Sequence, residues 1–216
     1  MINLSIVTHT LGKSMWMDKC VDSVKINLPD YGEHKIISLH QSDDFIQARW
    51  EAFQSQEFVA LVDDDDEVCN NSIQICMEAF RQNPTVGIVF TDQIVIDENS
   101  NILREDHGEL RYRDVARSPQ TIHHLAIVRR GAISKEALDI SIRAGTGIEW
   151  MIKSNAALNF GAIHVPIQGY KWRKHPGQHS DRDFKNFISV AGILRNATRS
   201  WLKKDDLIKQ YLPEVT

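Results

Sequence analysis

Cysteine is scarce in this chain, with only Cys20, Cys69 and Cys76 among 216 residues. The number is odd and no CxxC spacing occurs, so no disulfide framework is indicated and reduced thiols in a cytoplasmic protein are expected. No apolar run approaches the roughly 18 to 20 residues that a membrane helix needs. The opening Met-Ile-Asn-Leu-Ser lacks a basic region followed by a long apolar stretch, so no signal peptide is expected. Neither sign of charge dominates: 25 Lys+Arg against 29 Asp+Glu leave a net charge of -4. Nothing in that balance marks a bulk polyanion binder, although it leaves room for a local basic patch. Internal repeats, low-complexity tracts and Pro/Gly/Ser-rich linkers are absent. With 42% hydrophobic residues the chain suffices for one sizeable domain and is marginal for two.

What stands out is Glu57 to Glu67, where a short apolar run ends in four consecutive aspartates, Asp63 to Asp66. Phe58 to Val62 fits a buried strand, too short for a helix and bounded by charge. Two unit charges about 5 Å apart at an effective dielectric of about 20 cost roughly 3 kcal/mol. A cation relieves that repulsion, and hard oxygen ligands suit Mg²⁺ or Mn²⁺, often shared with substrate phosphates. An EF-hand calcium loop is excluded: counted from Asp63, Val68 stands where glycine is required and Gln74 where glutamate is. The alternative is that some of these aspartates only cap the following helix, Asp66 above all.

The order of elements indicates an α/β chain. Strands are expected over Asn3 to His9, Lys35 to Leu39, Phe58 to Val62 and Val86 to Phe90. Helices are expected between them: one capped by Ser14, one by Ser42 or Asp43 with Phe45, Ala48 and Ala52 on a stripe, and one by Asn71 bearing Ile73, Cys76 and Phe80. Such alternation predicts crossover units and a mainly parallel central sheet. In such sheets ligands bind beyond the carboxyl ends of the strands. Residues 1–92 read as a nucleotide-binding half and 93–182 as an acceptor half. In the second half a hairpin is expected from Gln93 to Asp97 and Ile102 to Arg104, a strand over 121–130, and a short helix capped by Ser134. A helix over Glu149 to Leu158 and a strand over Ala162 to Val165 follow. Residues 183–216 form a C-terminal segment with an amphipathic helix over 183–201.

Several stretches resemble family 2 glycosyltransferases. Residues 47–68, QARWEAFQSQEFVALVDDDDEV, are similar to that family's A-R-N-x-G … G-E-Y-I-x-F-L-D-S-D-D. LSIVTHT at 4–10 resembles its first strand, and HHLAIVRRGAI at 123–133 its F-R-R-x-A-L segment. GIEWMIKSNAALNFGAIHVP at 147–166 is similar to E-D-x-x-L-x-L-R-L-x-x-x-G-x-I-x-x-I-P, and YKWRKHPGQHS at 170–180 to Y-R-x-H-x-x-S-x-S. The segments come in family order and span roughly residues 2–180. The resemblance implies a GT-A fold, a single Rossmann-like domain, and transfer of a sugar from a nucleotide-diphosphate donor, UDP being the commonest carrier, with Mn²⁺ or Mg²⁺.

Carried over by position, Asp65 is the metal ligand of the D-x-D motif, Asp63 lies near ribose or metal, and Asp64 fills the middle position. A slip of one residue leaves Asp64 and Asp66 as substitutes. Thr8 and His9 line the nucleotide pocket, Gln41 to Asp44 contact the base, and Arg49 lies near the nucleotide. His175 reaches the metal or diphosphate. Glu149 matches the general base, which removes the acceptor hydroxyl's proton in a displacement with inversion. Trp150 follows it where the family has aspartate, and Lys171 follows Tyr170 where the family has arginine.

Remaining candidates carry two readings each. His123 and His124 are acceptor-pocket or structural residues. Trp150 and Trp172 stack on a ligand or pack in the core. Lys171, Arg173 and Lys174 face the diphosphate or solvent. Arg195, Arg199, Lys203 and Lys204 bind a polyanion, such as modified phage-type DNA or an anionic membrane, or form a solvated face. Two other functions compete with the transferase: a non-catalytic nucleotide-sugar or glycan-binding module, and a nucleotidyltransferase. The latter needs a Gly-rich loop after the first strand, where this chain has THTLGKSM with one glycine.

Overall fold

The computed structural model describes residues 3–12, 14–40, 44–108, 122–176, 178, 192–193 and 196–197. In chain order the elements are β1 (Leu4–Thr10), α1 (Met17–Asn27), β2 (Gly32–Ser38), α2 (Phe45–Gln54), β3 (Phe58–Leu61), β4 (Glu67–Val68), α3 (Ser72–Gln82), β5 (Ile88–Ile96), β6 (Ile102–Asp106), β7 (Ala126–Arg129), α4 (Lys135–Ala144), α5 (Ile148–Phe160) and β8 (Ala162–Arg173). No described helix is long and apolar enough to cross a membrane.

Three layers follow from the strand alternation. Side chains of a strand point alternately to opposite faces. Leu4 and Ile6 of β1, with Phe58 and Ala60 of β3, enter one apolar cluster together with Cys20, Val24, Ile73, Cys76 and Phe80 of α1 and α3. Val7, Val59 and Leu61 enter the other, with Ala52, Phe53, Leu138, Met151 and Ile152 of α2, α4 and α5. Truncating a buried Leu61 or Ile152 to alanine costs about 2–5 kcal/mol at such packed sites.

The strand order is β2-β1-β3-β7-β5-β8-β4, with β6 beside β5. β1 pairs in parallel with β2 and β3, and β5 with β8. The pairs β3–β7, β5–β7, β5–β6 and β4–β8 are antiparallel. The sheet is therefore mixed rather than mainly parallel. Crossover helices build its first half, whereas β6 and β7 return beside β5 in the opposite direction.

Several boundaries differ from the sequence reading. β2 begins at Gly32 and β5 runs on to Ile96, so the hairpin with β6 is an extension of the expected fourth strand. β8 does not stop before Pro166. Its register with β5 jumps from Thr91↔Val165 to Asp92↔Gln168, which loops Pro166 and Ile167 out as a bulge. Asp44, not Ser42 or Asp43, caps α2; its carboxylate accepts from the Ile46 and Gln47 amides at 3.0 and 3.1 Å. The first helix starts at Met17, and Ser14 instead spends its hydroxyl on the Asp64 carbonyl. The helix expected over 183–201 lies outside the described residues, apart from 192–193 and 196–197, which are helical.

Close approach requires glycine at 169. A Cβ on Gly169 would lie 2.2 Å from Thr91 Oγ1. Its absence lets β8 press against β5 and carry Tyr170 under the aspartate run.

Candidate active site

The loop from β3 to β4 turns tightly, the Asp66 amide donating to the Asp63 carbonyl at 3.1 Å. This turn sends the four carboxylates to four different partners. Asp63 Oδ1 receives Arg49 Nη2 at 2.7 Å. Burial pushes the Asp63 carboxyl up, but the Arg49 guanidinium outweighs it and leaves the group below its ordinary range. Thr10 Oγ1 donates to Asp64 Oδ2 at 2.5 Å, and burial raises Asp64 in spite of that bond. Asp65 Oδ2 lies 2.9 Å from His175 Nε2. Its carboxyl is raised by burial first and by Asp63 second.

Asp66 has a different environment. It is 1% exposed and uses both oxygens internally, accepting from the Tyr170 hydroxyl at 2.9 Å and the Arg173 amide at 2.7 Å. Burial, then Asp65 and Asp63, push its carboxyl well up. Asp66 thus ties the loop to β8 and is committed within the protein, leaving Asp63 to Asp65 at the strand end.

Glu149 stands in the first turn of α5, after Gly147 in a left-handed conformation with φ 81°. Its Oε1 lies 2.7 Å from Lys153 Nζ and 2.9 Å from His124 Nε2, and its Oε2 is 3.9 Å from Arg49 Nη1. Burial raises this carboxyl, but Lys153, then His124 and Arg49, reverse the direction and hold it well below the usual range. Arg49 is buried and touches both Asp63 and Glu149, so one guanidinium joins the acidic loop to α5.

The structure thus gathers Arg49, Asp63, Asp64, Asp65, Glu149 and His175. Thr8 is fully buried, its hydroxyl 3.0 Å from His34 Nε2, on the side of the sheet facing α1. His9 faces α2, its ring centroid 6.3 Å from that of Phe45. Burial, then the Arg49 charge, lower the His9 pKa to about 4, so it is neutral at pH 7. Asp44 is spent on its helix cap and lines a cavity of about 490 Å³ between α2 and β2, whose lining includes none of Asp63 to Asp66, Glu149 or His175. Gln41 lies outside the described residues. Trp150 is in the core, as the packing alternative expected.

Two further residues act on this site: Arg173, expected to face the diphosphate or solvent, and Tyr170, which carried no expected role. Arg173 is fully buried. Its guanidinium donates to the carbonyls of Asp65 (2.7 Å) and Asp97 (3.0 Å) and to Ser100 Oγ (3.0 Å), and pairs with Glu67. It lies over Trp16, 5.3 Å from the ring, and Trp16 in turn packs at 4.5 Å on His175. The usable signal was spacing alone: Arg173 stands two residues before His175 in the sequence. Tyr170 donates to Asp66 and accepts from the Asp63 amide at 3.2 Å.

Among the described residues, no group of three or more His, Cys, Asp and Glu is arranged to hold a metal ion. A divalent cation still fits the pair Asp65–His175. Burial first, and neighbouring carboxylates after it, raise Asp64 and Asp65, and a cation beside them would offset both effects. Carboxylate and imidazole together suit Mn²⁺, and a cation with few protein ligands completes its shell with water and phosphate.

No family model matches the sequence, and no curated protein matches it. Solved structures do match in fold. TarS residues 1–349 from S. aureus superpose with a TM-score of 0.56 at 14% identity, covering 93% of this chain and 69% of that one. The same protein in complex with UDP-GlcNAc gives 0.58 at 12% identity, covering 93% and 70%. With UDP it gives 0.58 at 13% identity and the same coverage. Against a longer TarS structure the chain spans 39% of the partner's length. These neighbours carry the GT-A fold of glycosyltransferases, and the fold of this chain is of that type.

Proposed function

We propose that this chain is a glycosyltransferase that moves a sugar from a nucleotide-diphosphate donor, UDP-linked, to an acceptor hydroxyl with inversion. The observation that carries the reading is the contact of Asp65 with His175 at 2.9 Å, at a strand end crowded with carboxylates, in a fold of GT-A type. The neighbouring TarS structures hold UDP-GlcNAc and UDP, which supports the donor class.

In this reading Asp65 and His175 hold Mn²⁺ or Mg²⁺, with Asp63 and Asp64 beside them. The cation would supply neutralising charge for the departing diphosphate. Arg49 keeps Asp63 ionised and fixed. Glu149 takes the proton from the acceptor hydroxyl as that oxygen attacks the anomeric carbon. Of its two oxygens, Oε2 is the one not held by Lys153 and His124.

Release of UDP from UDP-GlcNAc with Mn²⁺ tests the proposal. Turnover that needs metal and is lost in Asp65→Ala and Glu149→Gln supports it. A binding module is the second reading, favoured by Trp150, buried where the family has its second acidic residue, and by the cations around Glu149. Metal-dependent UDP binding with no turnover in the native chain would favour that reading.

A further inference from the structure

Lys153 is out of place in its surroundings. It is 6% exposed, on a helix whose buried residues include Met151, Ile152, Ala156 and Ala157. The family pattern E-D-x-x-L has leucine at this position. A buried ammonium is costly unless paired, and this one is paired with Glu149 Oε1 at 2.7 Å, its Nζ lying 3.2 Å from His124 Nε2. His124 in turn stacks on Tyr170 at 5.0 Å, and Tyr170 bonds to Asp66 and the Asp63 amide. Lys153 stands one helical turn beyond Glu149, and Trp150 occupies the position that is acidic in the family pattern.

Resting on the transferase reading, we propose that Lys153 is a positioning residue for the base. With His124 it grips Glu149 Oε1, so that Oε2 alone is presented to the acceptor, and it sets the acidity range over which that base works. Other titratable groups facing Glu149 are Arg49 from α2, Asp63 beyond it, and the neutral His9 at the end of β1. His123 lies close enough to Lys153 and His124 to feel both charges. None of these bonds Oε1, so removing Lys153 leaves that oxygen to His124 alone.

The test is an NMR titration of ¹³C-glutamate-labelled full-length protein, with Glu149→Gln assigning the resonance, in native, Lys153→Met and Lys153→Arg chains. UDP release from UDP-GlcNAc with Mn²⁺ is followed against pH in parallel. In Lys153→Met the Glu149 midpoint moves up towards the ordinary carboxylate range, and the acid limb of turnover moves with it. Turnover at neutral pH falls about tenfold or more, a fraction of the 10²–10⁴ that a positioned base supplies. Lys153→Arg restores both. An unchanged midpoint in Lys153→Met overturns the proposal, as does a turnover profile that superposes on the native one. Should Lys153→Met not fold, Lys153→Gln takes its place: a Glu149 midpoint that rises there supports the proposal, and a native-like midpoint overturns it. The titration needs no turnover, so failure of the donor reading shows separately, as absence of UDP release in the native chain.

Discussion

Asp65 and His175 are 110 residues apart in sequence, yet their Oδ2 and Nε2 atoms meet at 2.9 Å. Three devices produce that meeting. Gly169 lets β8 pass close over Thr91, Asp66 fastens β8 to the loop, and Arg173 binds the Asp65 carbonyl from beneath. The pair is thus built by the fold and not by local sequence.

Asp65→Ala and His175→Ala leave the fold intact and abolish metal-linked nucleotide binding. A ligand at about 100 times its Kd stabilises the native chain by roughly 2.7 kcal/mol, which raises Tm by about 5–10 °C at this size. In a thermal-shift assay with UDP, Mn²⁺ gives that rise in the native chain and none in the two variants. An equal rise in Asp65→Ala contradicts the assignment.

Asp66→Ala behaves in the opposite way. It strips the Tyr170 hydroxyl and the Arg173 amide of their acceptor in a buried place. The cost is about 2–4 kcal/mol of stability, measured by urea denaturation, against less than about 1 kcal/mol for the half-buried Asp65→Asn. Equal destabilisation by the two variants would refute the division of roles within the run.

Much of this was legible in the sequence. The apolar run at 58–62 bounded by charge gave β3, and the crossover pattern gave the first half. The inward face of Thr8 also follows from alternation, since it shares the parity of Leu4 and Ile6. Other features depend on distant partners. Pro166 reads as a strand end because the bulge that accommodates it belongs to the pairing with β5. Arg173, between Trp172 and Lys174, reads as surface charge because its acceptors come from the loops at 65–67 and 97–100. The helix cap fell one residue past the expected pair because Ser42, Asp43 and Asp44 are chemically equivalent as caps.

His9 predicts an acid-sensitive stability. Its folded pKa, about 4, lies below the ordinary histidine value of 6.5. Between these values the unfolded chain binds the extra proton, so stability is full above about pH 6.5 and is lost as pH falls towards 4. The window carries about 3 kcal/mol. Denaturation midpoints followed from pH 7 to 4 decline less steeply in His9→Gln than in the native chain. Parallel curves would show that His9 is not held neutral.

Gly169→Ala disturbs both stability and the site, because its Cβ would collide with Thr91. A loss of about 1–3 kcal/mol is expected from overpacking, with weaker Mn²⁺-dependent UDP binding in the same variant. Thr91→Ser in that background relieves part of the clash and recovers part of the stability, read by the same urea midpoints.

A crystal structure grown with UDP-GlcNAc and Mn²⁺ bears most directly on the central claim. The account predicts an anomalous manganese peak about 2.0–2.2 Å from an Asp65 oxygen and His175 Nε2, touching the diphosphate, with Asp66 still bonded to Tyr170. A metal-free loop with Asp65 and His175 still bonded to each other, and the nucleotide elsewhere, would contradict it.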